Sequence, residues 1–311
     1  MKLKVLGSAA GGGFPQWNCN ARLSRLVRAG EPGFLPRTQS SLAVSADGEH
    51  WVICNASPDI RQQIAATPEL HPIASGGLRN SPIKAVMLTN GDVDHITGLL
   101  SLREREPFTL YGTHRILHTL DENSVFRVCD AAVVKRTEFE IGQEIDLVGP
   151  DGELGLTVEP FSVPGKVALY MENASNLAAN FGTDAGDTIA LKIKAVGSEA
   201  VAFYIPGCAH VTEALKSKVA GADVLLFDGT VFHDDEMMRE GVGQKTGARM
   251  GHISIAGENG SLAAFKDVST ARKIYIHINT TNPILEPGSE PEQTVLTAGW
   301  EVGWDGMEIE L

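Results

Sequence analysis

Three observations predict an α/β protein with mixed strands: short β-branched apolar runs, stretches of helical periodicity between some of them, and glycine-rich breaks at their ends. A four-layer α/β/β/α sandwich of two mixed sheets accommodates this order. No Pro/Ser-rich linker separates the halves, so residues 1–311 read as a single domain. Buried strands are expected at 4–6, 51–54, 83–88, 189–193, 201–205, 224–227 and 274–278, each bounded by Gly, Asn, Asp or Pro. A helix is expected from Ser57, with Pro58 at its first position and Ile60, Ile64 and Leu70 along one face. A second runs from Thr212 through Leu215 to Val219. Residues 302–311 read as a hairpin, because Asp305 and Gly306 supply the positive φ that a two-residue turn requires. The stretch 151–187, rich in Gly, Asn and Ala, reads as a lid or recognition loop.

Composition narrows the function. Hydrophobic residues make up 43% and charged residues 21%, enough apolar surface to offset ordering entropy. No apolar run approaches the ~18–20 residues that cross a bilayer, and residues 1–5 alternate Lys with apolar side chains, so a cytoplasmic protein without a membrane partner is expected. The 39 acidic against 26 basic residues give a net charge of −13, which repels a phosphate backbone and argues against nucleic acid. Cys19, Cys54, Cys129 and Cys208 show no CxxC spacing, which fits reduced thiols. The sequence is compatible with a homo-oligomer and does not require one.

The chemistry concentrates at two strand ends. The run from Ala85 through Leu88 ends in Thr89-Asn-Gly-Asp-Val-Asp-His95, which places Asp92, Asp94 and His95 within four residues. Two carboxylates and an imidazole suit a hard or borderline cation, although Asp92 and Asp94 could simply cap the helix that follows. Downstream, His277 ends another apolar strand in Lys273-Ile-Tyr-Ile-His277. It could be a core histidine bonded to backbone. If parallel strands bring their carboxyl ends together, His277 instead meets His95, and two imidazoles with a carboxylate form the facial set of a non-haem iron site. Asp228 and His252 follow turn-like breaks and could converge there, His252 as ligand, as proton shuttle or substrate contact, or as partner of the next helix. His50, His71, His114, His118, His210 and His233 lack such a context and read as surface or structural. The run from His233 to Glu240 reads as an exposed helix start. The loop Gly7 to Asn18 lacks both GK[ST] and GxGxxG, so it reads as a close-packed turn that directs Gln16, Trp17 and Asn18 toward a neighbouring pocket. No Ser-His-Asp or G-x-S-x-G arrangement is present.

Six segments together carry a resemblance: Gly7-Ser-Ala-Ala-Gly-Gly-Gly-Phe-Pro-Gln-Trp-Asn-Cys-Asn20, Asn55-Ala-Ser-Pro-Asp-Ile-Arg61, Asp94-His95, Met250-Gly-His252, His277-Ile-Asn-Thr-Thr-Asn-Pro-Ile-Leu285 and Asp305-Gly-Met-Glu-Ile-Glu-Leu311. With them the chain closely resembles the pyrroloquinoline quinone (PQQ) biosynthesis protein B family, of the metallo-β-lactamase superfamily. The resemblance implies the α/β/β/α sandwich with a metal at the strand ends between two pseudo-symmetric halves. The superfamily pattern HxHxDH falls on Asn90 to His95, so its first two histidines are replaced and its Asp-His pair is kept. The implied ligands are Asp94, His95 and His277, with Asp92 as a further candidate, around one metal. Fe(II) is the implied metal, Zn its alternative, and O2 a co-substrate. The implied activity is an iron-dependent oxygenase that hydroxylates the tyrosine ring of a cross-linked Glu-Tyr intermediate, with Asp228 and His252 as catalytic residues.

Two other classes stay open: a zinc-dependent hydrolase, and a carrier that transports PQQ or its precursor. The family's C-x-C-x-x-C zinc site keeps only Cys19 here, with Ala21 and Ser24 at the other positions, so no thiolate zinc is expected there. A substrate bearing carboxylates needs local positive charge in so acidic a protein, and Arg61, Arg103 and Arg105 are the candidates.

Overall fold

The computed structural model describes residues 1–176, 180–181 and 186–311. Six strands of the first half and the last strand of the chain form one sheet: β1 (Lys2–Gly7), β2 (Ser41–Ser45), β3 (Trp51–Cys54), β4 (Ile83–Met87), β5 (Thr109–Gly112), β6 (Lys135–Glu138) and β14 (Glu308–Glu310). The second sheet holds β7 (Ile145–Gly149), β8 (Gly152–Ser162), β9 (Ile189–Ala195), β10 (Ala202–Ile205), β11 (Val224–Asp228), β12 (Arg272–Ile276) and β13 (Trp300–Val302). The orders are β14-β1-β2-β3-β4-β5-β6 and β13-β12-β11-β10-β9-β8-β7. In the first sheet β3 to β6 run parallel, and in the second β10 to β13 do, each run continued by antiparallel strands.

Alternation along the strands builds three apolar layers. Met87, Leu226, Tyr204 and Ile276 fill the layer between the sheets. Val86, Leu88 and Leu110 face outward onto Ile60, Leu99 and Ile116 of one helical layer. Leu225, Phe227 and Tyr275 face Leu215, Val219 and Val295 of the other. A strand covered on both faces must be apolar at every position, which is why these runs read as continuous hydrophobic segments. The result is the α/β/β/α sandwich, with the carboxyl ends of both parallel runs at one rim. No helix among the described residues is long and apolar enough to cross a membrane.

Several expected elements shift. The helix predicted from Ser57 spans Ile60–Ala66, and Pro68 opens a separate short turn, Pro68–Leu70, since its ring cannot continue the helix. The helix expected from Thr212 spans Glu213–Val219, with the Thr212 hydroxyl accepting from Leu215 N. Residues 302–311 are not a hairpin. β13 pairs with β12 in one sheet and β14 with β1 in the other, so the Asp305-Gly306 turn carries the chain across the sandwich. The Asp305 carboxylate decides this: it accepts hydrogen bonds from the backbone N–H and hydroxyl of both Ser8 and Thr38, which ties the turn to the start of the chain. Within 151–187, residues 152–162 are the long strand β8, and part of the expected loop, 177–179 and 182–185, lies outside the described residues.

Close backbone packing fixes the turn after β4. Gly98 N donates to Ala56 O and Ala56 N to His95 O, which clamps the short helix Val93–Ile96 against the end of β3. A Cβ at Gly98 would stand 2.2 Å from Ser57 O, a backbone atom that cannot swing away. Gly98→Ala is therefore expected to destabilise the protein by at least about 1–3 kcal/mol, the usual cost of overpacking. A lowered urea midpoint measures it, and an unchanged midpoint would show that this clamp yields.

Candidate metal centre

At the carboxyl end of β4 the Asn55 side chain, from the end of β3, accepts from Thr89 N and donates to Thr89 Oγ1. With the two strand ends locked together, Asn90 is fixed, and its Oδ1 lies 2.7 Å from His95 Nδ1. An amide oxygen can only accept, so His95 carries its proton on Nδ1 and turns the Nε2 lone pair inward. That Nε2 is buried with no hydrogen-bond partner. Burial pushes the imidazole down to about 4, with Asp94 opposing, so the ring is neutral near pH 7. A buried neutral nitrogen without a partner is what a metal ligand looks like before its cation is considered.

His277 comes from the other half. β12 ends at Ile276, and His277 takes a left-handed backbone (φ 56°), an uncommon state for a non-glycine residue that redirects the chain at the rim. Its Nε2 lies 3.3 Å from Asp94 Oδ2, and its ring is edge-on to His95 with centroids 5.4 Å apart. Candidate ligand atoms of Asp94, His95 and His277 all lie within 4.8 Å of one another. Burial opposes ionisation of Asp94, but the two imidazoles more than offset it and hold the carboxyl well below its usual range. Burial likewise opposes protonation of His277, and Asp94 reverses it, so that ring is held above its ordinary value. Two imidazoles and one carboxylate thus converge from strand ends of opposite sheets, and the donor set fits a divalent cation.

Behind His277 stands a second network. Thr230 Oγ1 lies 2.8 Å from His277 Nδ1 and 3.1 Å from His252 Nδ1, and donates to Asp228 Oδ1 at 2.6 Å. Asp228 Oδ2 lies 2.6 Å from His252 Nδ1 and accepts from Cys208 N at 2.8 Å. Candidate ligand atoms of Asp228, His252 and His277 also lie within 4.8 Å of one another, but Thr230 and Asp228 already engage the Nδ1 atoms of both rings, which leaves Nε2 as the nitrogen either ring can offer a cation. This reads as an orienting network for one cation site. Asp228 is fully buried and does not line the cavity, whereas His252 does, its ring stacked on His277 at 5.0 Å.

The cavity, about 170 Å³, is lined by Asp92, Asp94, His95, His252 and His277 together with Asn90, Thr230 and Asn279. Gly11 closes one side, and a Cβ there would stand 3.3 Å from Asp94 Oδ2. Asp92 lines the cavity too, but one of its oxygens accepts from Leu169 N at 2.9 Å, and it falls outside both ligand groups. Burial and then the Asp94 charge raise its carboxyl. Leu169 and Tyr170, whose hydroxyl donates to Gly91 O, bring the segment after β8 over this rim.

A family model for a beta-lactamase superfamily domain matches residues 50–278. Coenzyme PQQ synthesis protein B from Methylorubrum populi is 54% identical over 311 residues, covering the whole of both chains. The crystal structure of Zn(2+)-bound PqqB from Methylobacterium extorquens superposes with a TM-score of 0.94 at 52% identity, again over the whole of both chains. The chain belongs to the coenzyme PQQ synthesis protein B family. A diphosphatase from the PhnP family, 20% identical with a TM-score of 0.66 over 100% of this chain and 96% of its own, shares the fold with this PQQ synthesis protein B family member.

The structure corrects three sequence expectations near the site. Arg61, Arg103 and Arg105 do not line the metal cavity; Arg103 stands beside Glu104 and Arg105 pairs with Asp130, on the outer helical side. The run from His233 to Glu240 is not simply an exposed helix start. Its helix is Glu236–Arg239, and Glu236 is buried. The Glu236 carboxylate accepts from Phe232 N, His233 N and Thr281 Oγ1. Trp17, expected to face a pocket, is exposed, while Gln16 and Asn18 do line one. Asn90 and Thr230 were missed as orienting residues, although Asn90 stands where the superfamily pattern has its first histidine.

Burial raises the Glu236 carboxyl from the ordinary 4.5 to about 7. Folding therefore favours its protonated form. The stability it contributes is complete below pH 4.5 and is lost as pH rises through 7. Glu236→Gln keeps an acceptor for the two N–H groups and cannot ionise. The variant is expected to gain up to about 3 kcal/mol on the parent between pH 5 and 8. Parallel pH–stability curves for the two proteins would contradict this.

Proposed function

We propose that the chain acts in PQQ biosynthesis as a non-haem iron-dependent oxygenase that hydroxylates the tyrosine ring of a cross-linked Glu-Tyr intermediate. The observation that carries this reading is the set Asp94, His95 and His277, with the partnerless His95 Nε2 at its centre. Two imidazoles and one carboxylate form the facial arrangement that leaves further positions open on a non-haem iron. Fe(II), when bound, supplies activation of O2, which protein side chains cannot provide. The residues supply the rest. Asn90 and Thr230 hold the two imidazoles in orientation, and the 170 Å³ cavity admits one aromatic ring, since about 150 Å³ already holds benzene. His252, at the cavity wall and held by Asp228, is placed to take or return a ring proton.

Anaerobic loading with Fe(II), followed by O2 and a tyrosine-containing dipeptide, is expected to give oxygen consumption and a hydroxylated ring. No oxygen uptake with Fe(II), beside brisk ester or phosphodiester cleavage with Zn(II), would replace this reading with a hydrolase.

A further inference from the structure

The metal cavity is large enough for one ring and too small for two joined amino acids, so the remainder of such a substrate needs separate space. A cavity of about 610 Å³ adjoins it, and Asn279 lines both. That volume lies in the ~300–1,000 Å³ range of small-molecule sites. Its wall comes from the loop and helix after β1, with Gln16, Asn18, Arg22 and Arg25, and from the end of the helix Glu236–Arg239, with Met237 and Glu240.

Asn279, common to both cavities, is held in place by hydrogen bonds. Asn279 Nδ2 donates to Thr281 Oγ1 at 2.6 Å, Thr281 Oγ1 donates to the buried Glu236 at 2.7 Å, and Asn279 N donates to Thr230 O at 3.0 Å. One chain of hydrogen bonds therefore runs from the larger cavity to the residue that orients His277.

The charges are uncommitted in a specific way. Arg22 is paired with Glu286. Arg25 spends one N–H on Asn20 O at 2.7 Å, and among the described residues no carboxylate stands within ion-pair distance of it. Glu240, on the facing element, has no cation within ion-pair distance among the described residues, while its charge acts on Arg22 across the cavity. A cavity with one free guanidinium and one free carboxylate matches a ligand bearing a carboxylate and an ammonium. That is the backbone end of an α-amino acid.

We propose that this cavity is the subsite for the amino-acid end of the substrate, Arg25 receiving a carboxylate and Glu240 an ammonium, while the ring passes Asn279 into the metal cavity. The ring's destination rests on the oxygenase reading; the recognition of the charged end does not. Both groups act on ground-state binding, so they are specificity residues. Arg is suited to the carboxylate because its planar fork can donate two parallel hydrogen bonds.

The test is calorimetric titration of the full chain, as purified, with L-tyrosine, tyrosine amide and N-acetyltyrosine. Arg25→Gln is expected to weaken L-tyrosine about 10-fold, the scale of one charge-assisted hydrogen bond, and to leave tyrosine amide unchanged. Glu240→Gln is expected to weaken L-tyrosine and tyrosine amide by a similar factor and to leave N-acetyltyrosine unchanged. Both side chains are exposed, so the fold should survive, and circular dichroism checks that it does. Parent-like affinity for L-tyrosine in either variant, or no binding by the parent, overturns the proposal. Failure of oxygen uptake with these affinity patterns intact would sink the oxygenase reading and leave the subsite standing.

Discussion

Replacing His277 by alanine is expected to abolish stable metal retention, with an affinity loss well beyond 100-fold. Removing a group that merely orients a ligand already costs about 10–100-fold, and His277 supplies one of the three donors grouped here among the described residues. Its removal leaves from that group Asp94 and His95, both on the short helix Val93–Ile96. Asn90→Ala is the graded comparison. It keeps all three donors and frees the His95 ring, so a loss of about 10–100-fold is expected. His252→Ala should retain metal, because His252 falls outside the ligand group of Asp94, His95 and His277, and should lose turnover. Metal content after gel filtration, and competition with a chelator of known affinity, measure all three. Stoichiometric metal in His277→Ala would mean that the cation sits elsewhere. Loss of metal in His252→Ala would mean that the second network binds metal itself.

How much of this was readable in the sequence depends on the range of the interaction. Strands β3, β4, β10, β11 and β12 announce themselves because burial on both faces leaves near-continuous apolar runs, broken by Lys84 in β4 and by Arg272 and Lys273 at the start of β12. The convergence of His95 and His277 followed from one topological rule, that parallel strands collect ligands at their carboxyl ends, and the ring centroids lie 5.4 Å apart. What stayed hidden has no local signature. Residues 302–311 have the alternation and turn of a hairpin, and hydrogen bonds to distant parts of the chain, from Ser8 and Thr38 to Asp305 and between Val5 and the turn, send β14 to the other sheet. Asn90 looked like a lost histidine because its role depends on a ring five residues on. Thr230 and Glu236 act through His277 and Thr281, some fifty residues away in the chain, and carry no motif.

Asp228→Ala is expected to cost the fold about 3–5 kcal/mol, the largest stability effect of any side chain at the site, because the carboxylate is fully buried and compensated by its neighbours. It accepts from Cys208 N, Thr230 N and Thr230 Oγ1 and lies 2.6 Å from His252 Nδ1, and each loses its partner when the carboxylate goes. Burial opposes its ionisation, and His252 and then His277 win against it, which holds the carboxyl below its ordinary value. Stability from this group is therefore present above the unfolded carboxylate range and lost as pH falls through its lowered value. Asp228→Asn separates shape from charge. The amide keeps one acceptor for Thr230, but its NH2 must face Cys208 N–H and His252 Nδ1, so His252 must release its Nδ1 proton and hold the other tautomer. Thermal unfolding should show Asp228→Asn between parent and Asp228→Ala. If the proton role of His252 holds, turnover in Asp228→Asn should fall far more than its stability does, with metal retained. Equal proportional losses in both would reduce Asp228 to scaffolding and leave His252 without its orienting partner in the chemistry.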